Sequence, residues 1–169
     1  MLLSQLSFKW SLIVIFIISA YAYGGNKTSD YKRWIILATG QGFPQDDSKG
    51  LSYNFGRNDF YQLAINCNSD FTLDETTPRF SFVSIAKGYC LSDRFTHVAL
   101  FVGPAYLWGS RKYIHNSDNR FKSVGVVSNI QIVFKPLSVL GVGSDIFYLL
   151  NYNKNSLGIR MVLFIGHNK

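Results

Sequence analysis

Residues 156–166 read Ser-Leu-Gly-Ile-Arg-Met-Val-Leu-Phe-Ile-Gly. One alternate set, Leu157, Ile159, Met161, Leu163 and Ile165, is wholly apolar. The other, Gly158, Arg160, Val162, Phe164 and Gly166, mixes glycine, a charge and an aromatic. A period of two marks a β-strand whose faces meet different surroundings. An apolar face backed by a mixed one is what the wall of a narrow barrel needs.

Upstream, the chain breaks into similar alternating runs between turn residues. Strands are expected over 31–40, 60–68, 79–90, 94–103, 124–135 and 139–150. A further strand near 51–55 is placed only loosely, inside a polar segment spanning 45–59. Gly40-Gln41-Gly42-Phe43-Pro44 reads as a turn, as do 70–78 and 136–138. Pro104 cannot donate a ladder hydrogen bond, so it is expected to mark a bulge or the end of its strand. Residues 109–120 read as the longest late loop. With the closing strand the expected total is eight, since termini on one side of an outer membrane require an even number. No stretch shows a helical period. The expected fold is therefore all-β, a single antiparallel up-and-down β-barrel.

The N-terminus points to export. Residues 10–19, WSLIVIFIIS, form an apolar run within the ~7–15 residues of a signal-peptide h-region and too short to cross a bilayer. Ala20-Tyr21-Ala22 follows with small residues where a signal peptidase reads. The expected organisation is a cleaved signal peptide, 1–22, and a barrel domain, 23–169.

Composition decides between two kinds of barrel. Only 16% of residues are charged, below the ~25% typical of soluble domains. Ten Tyr and fourteen Phe supply many aromatics. The polar strand faces hold mainly Gly, Ala, Ser, Asn and Gln, a poor covering for a soluble surface but a good filling for a crowded interior. The apolar stripes are therefore expected to face lipid. Tyr106 and Trp108 are placed for an interfacial aromatic girdle. The formal net charge of +7 is scattered, and an exported chain gives no reason to expect nucleic acid.

The charges on the polar faces allow a sharper expectation. If 151–154 closes the last hairpin as an even-length turn, Asp145 falls opposite Arg160 on the interior side. An ion pair there would satisfy two charges held away from bulk water.

The expected signal peptide, the alternating strands, the segment Phe134-Lys135-Pro136-Leu137-Ser138-Val139-Leu140-Gly141-Val142-Gly143 and the run Asn155-Ser156-Leu157-Gly158-Ile159-Arg160 resemble small uncharacterised outer-membrane β-barrel proteins of Gram-negative bacteria. The resemblance implies insertion by the outer-membrane assembly machinery, membrane lipid as the surrounding partner, and a structural or surface-binding role. Such barrels usually end on an aromatic residue, whereas residues 165–169 follow Phe164 here.

Two alternatives compete with that role. His115-Asn116-Ser117-Asp118-Asn119 faintly resembles the His-x-Ser-Asn motif of lipid A deacylase barrels, with His115 and Ser117 as base and nucleophile on one strand face. Asp118 stands at the motif's Asn position, and no Glu follows it. A soluble periplasmic ligand-binding barrel is the other. His97 is expected to pack in the interior. Three dispersed histidines and two distant cysteines offer no metal-ligand spacing, and no cofactor motif is present. Cys67 is expected opposite Ser81 and Cys90 near Arg57, too far apart for a disulfide.

Overall fold

The computed structural model describes residues 31–43, 46–70, 79–112, 118–152 and 155–167. Eight strands run in chain order: β1 Lys32–Phe43, β2 Asp46–Gly56, β3 Phe60–Asp70, β4 Arg79–Ser92, β5 Thr96–Lys112, β6 Asp118–Phe134, β7 Leu140–Asn151 and β8 Ser156–His167. Each pairs antiparallel with its neighbour, and β1 pairs with β8, so the sheet closes into an up-and-down barrel. Closure removes the two edges that an open sheet would expose.

Alternation turns into inside and outside. In β8 Leu157, Ile159, Met161, Leu163 and Ile165 point out, while Gly158, Arg160, Val162 and Phe164 point in. Two aromatic-rich clusters fill the lumen. Trp34, Ile36, Phe60, Phe101, Val133 and Phe164 pack near the chain termini. Phe80, Phe82, Leu107, Val127, Phe147 and Leu149 pack toward the opposite, loop end. The interior is thus a packed core, as an eight-stranded barrel requires.

One cross-strand row measures the stagger. It runs Asn68–Ser48–Gly40–Arg160–Asp145–Gln131–Ala99–Cys90 through all eight strands. It returns to β4 at Cys90, ten residues past Phe80, the direct partner of Asn68. That stagger forces the strands to tilt, ~35–45° in barrels of this kind. The row therefore descends from the loop end to the terminus end as it circles the lumen.

Several local expectations give way to the closed register. The turn expected at Gly40–Pro44 is strand as far as Phe43, because Gly40 and Gly42 sit opposite Arg160 and Gly158 in the β1–β8 ladder. The polar segment after it is strand β2, whose Ser48, Ser52 and Asn54 face the lumen. Pro104 neither ends β5 nor shifts its register: Ser84 pairs Ala105 on one side of it and Lys87 pairs Val102 on the other, in step. Only the pairing of Ile85 and Ala86 with Gly103 and Pro104 drops out, while Pro104 still pairs Val126 of β6. The missing N–H thus falls on the β4 side and costs one local interruption. The loop expected over 109–120 is largely strand, since β5 reaches Lys112 and β6 begins at Asp118. Cys67 does pair Ser81, but the β3–β4 ladder ends at Phe60 and Gly88, so Cys90 lies beyond any partner near Arg57. Both cysteines are free thiols.

Candidate functional site

The centre of the lumen is built around Arg160. Gly158 and Gly40 flank it on β8 and β1, and Gly50 of β2 lies against its guanidinium. A Cβ at Gly50 would overlap Arg160 Nη1, and one at Gly158 would overlap the Phe147 ring. These glycines open the space that an arginine needs inside so narrow a barrel.

Three neighbours satisfy the guanidinium. Nε donates to Asp145 Oδ2 at 2.7 Å, and Nη2 donates to the same oxygen. Nη1 donates to Asn66 Oδ1 of β3. The Phe147 ring covers the guanidinium face, with Cζ 4.5 Å from its centroid. Asp145 and Arg160 are both buried, and they face each other directly in the β7–β8 ladder. Beside Asp145, Gln131 accepts from Trp34 Nε1 at 3.3 Å, which ties the central layer to the terminus-end cluster.

The terminus end is closed by a second polar group. Lys135, in the connection between β6 and β7, is buried and donates from Nζ to Ser92 Oγ and to the Asp93 carbonyl, each at 2.6 Å. Asp93 shapes the β4–β5 turn: its Oδ1 accepts from the backbone N–H of Thr96 at 2.6 Å and of Phe95 at 2.8 Å. Those two hydrogen bonds hold its carboxyl below the usual carboxylate range. His97 lies inside, edge-on to Trp34 at 4.6 Å, with Nδ1 3.6 Å from Cys90 Sγ. It is part of the packed interior.

The outside is a belt of exposed Leu, Ile, Val, Met and aromatic side chains. Tyr106 and Trp108 both lie on it, with ring centroids 6.1 Å apart. Near the terminus end, Tyr53, Phe55 and Tyr61 form a second aromatic group, with centroids 5.5 and 5.8 Å apart. Lys87 stands among the outward residues and pairs with Asp59 of the β2–β3 turn at 3.2 Å. The belt overturns the soluble-barrel alternative, because that fold would turn these side chains inward and its charges outward.

The structure therefore brings Asp145 to Arg160 and sets Tyr106 beside Trp108. His115 and Ser117 lie outside the described residues. Among the described residues no cluster of three metal-ligating side chains occurs. Sequence reasoning missed Asn66 and Gly50 around Arg160, because β3 and β2 lie far from β8 in the chain, and it also missed Phe147, which stands two residues from Asp145 on the same inward face of β7. Their inward positions in the alternation were the available signal.

No protein-family model and no curated protein matches the chain. Solved structures do. The N-terminal β-barrel domain of Pseudomonas aeruginosa OprF superposes with a TM-score of 0.65 at 10% identity, covering 80% of this chain and 96% of that one. Neisserial surface protein A gives 0.60 at 11% identity, with 80% and 96% covered. The Yersinia pestis outer membrane protein Ail, solved in a phospholipid bilayer nanodisc, gives 0.55 at 10% identity, with 81% and 99% covered. The chain has the fold of eight-stranded outer-membrane barrels. At this identity the likeness extends to architecture alone, and the interior layer around Arg160 is described from this chain's own residues.

Proposed function

We propose that this protein spans a bacterial outer membrane as a small barrel, with a structural or surface-binding role. The observation that carries this reading is the apolar outer belt around a polar and aromatic interior. In hydrocarbon every backbone polar group needs an internal partner, and a closed barrel supplies one. The connections at the terminus end, 57–59, 93–95 and 135–139, run to at most five residues, while the eight-residue connection 71–78, the longest between strands, lies at the other end with 44–45, 113–117 and 152–155. Short turns face the periplasm and longer loops face outward in such barrels, which orients the loop end to the cell exterior. On this reading residues 1–22 direct export and the outer-membrane assembly machinery inserts the barrel. Among the described residues two packed clusters fill the lumen, which favours contact through the outer end over transport.

Cell fractionation combined with surface labelling tests the proposal. In a Cys67→Ser, Cys90→Ser background, which itself is expected to stay unlabelled, a Thr76→Cys variant in the 71–78 connection is expected to react with a membrane-impermeant maleimide on intact cells, and the protein to sediment with outer membranes. Recovery in the soluble periplasmic fraction overturns the reading.

A further inference from the structure

The outer wall across β2 to β6 carries a concavity that barrel closure does not require. Where Pro104 interrupts the β4–β5 ladder, the surface sinks into a groove of about 610 Å³. Its lining includes Ala64, Ser84 and Ala105, small residues at inward-facing positions of β3, β4 and β5. Leu51, Ile65, Val83, Ile85, Tyr106 and Val124 give it apolar sides.

The β5–β6 hairpin carries this surface on toward the loop end in an ordered way. Its outward cross-strand pairs are Pro104–Val126, Tyr106–Val124, Trp108–Lys122 and Ser110–Arg120. Successive pairs on one face stand ~7 Å apart along the strands. The chemistry thus passes from aliphatic, through amphipathic aromatic rings, to two cations. Lys122 and Arg120 are both exposed at consecutive outward positions. An acyl chain alone would be satisfied by the groove; the cations beyond it add a requirement for negative charge. The sequence of groups matches a lipid read from its chains, through its linking groups, to an anionic phosphate.

We propose that this groove binds an individual phosphate-bearing lipid of the loop-side leaflet, its chains against Val83, Tyr106 and Val124 and its phosphate against Lys122 and Arg120. Trp108 lies between the two halves, where its ring can meet the linking region. The inference rests on the membrane-spanning reading above and adds a lipid class to it.

The test uses the purified barrel in phosphatidylcholine nanodiscs, with Trp108 emission as the readout. Discs are doped with bisphosphorylated lipid A or with the same lipid A after phosphate removal. The phosphorylated lipid is expected to saturate the Trp108 response at lower content, by about fivefold for each cation engaged. A K122Q/R120Q double variant is expected to erase the preference while keeping the folded, heat-modifiable gel migration. A Val124→Phe variant, which fills the groove without adding a second outward tryptophan, is expected to weaken binding of both lipids. Equal binding of the two lipids overturns the site. So does a preference that survives K122Q/R120Q, or an equal response to inorganic phosphate alone. Failure of the barrel to insert into the discs overturns the membrane reading as well, whereas insertion without lipid preference removes only the lipid site.

Discussion

Arg160 reaches across the β7–β8 ladder to Asp145 and donates to one carboxylate oxygen through both Nε and Nη2. Both side chains are almost wholly withdrawn from solvent, at 4% and 1% exposure. A charge left alone at that position would have no solvent to turn to, so each partner makes the other tolerable. The pair holds β7 to β8, and through Asn66 it also reaches β3 across the lumen.

Removing one partner is therefore expected to cost more than removing both. Asp145→Ala or Arg160→Ala should destabilise the barrel by about 3–5 kcal/mol, because an uncompensated buried charge remains. A double replacement by Leu at 145 and Met at 160 should recover most of that loss. Urea unfolding in lipid vesicles across the double-mutant cycle measures it; additive single effects would refute the coupling.

The space beneath Phe147 is the next sensitive point. Gly158 lies against that ring, and the ring lies against the Arg160 guanidinium. Gly158→Val is expected to cost about 1–3 kcal/mol by overpacking. Gly158→Ala should fall below it. The same unfolding measurement separates the two, and a Val variant as stable as the parent would contradict the packing described.

The two described tryptophans should report opposite sides of the wall. Trp34 is 2% exposed within the terminus-end cluster, whereas Trp108 lies on the outer belt beside Tyr106. In a chain beginning at Tyr23, brominated lipids are expected to quench Trp108 and to spare Trp34. Trp108→Phe should abolish most of the quenching. Strong residual quenching after that change would place Trp34 in contact with lipid.

Asp93 gives the β4–β5 turn a pH dependence of known sign. Hydrogen bonds from Thr96 and Phe95 lower its folded pKa. Its contribution is therefore in place above the ~3.9 of an unfolded Asp and is lost as pH falls through the lower folded value. The urea midpoint of the parent is expected to fall with acidification in that range more steeply than that of Asp93→Asn. Parallel pH profiles would show that the turn does not use the charge.

The closing strand shows how far linear reading reaches. Alternation over 156–166 sorted its side chains into two sets, and the same rule sorted β3, β5, β6 and β7. The even-turn arithmetic of the last hairpin set Asp145 opposite Arg160, since a short connection transmits register directly. Rules of local punctuation did less well. Glycines 40 and 42 resemble turn residues in sequence, but in the barrel they make room opposite Arg160 and Gly158. Pro104 resembles a strand terminator, yet β5 has a partner on each side and the ladder to β6 carries it through.

By itself, then, the sequence determined the strand period, the two chemical faces and the hairpin partner of its last interior charge. These depend on neighbours within a few residues or across one tight turn. Only the tertiary structure decided the ten-residue stagger, the descending polar row, and the meeting of Asn66 and Gly50 at Arg160. Those depend on closure between β1 and β8, a contact between the two ends of the barrel whose register no local pattern encodes.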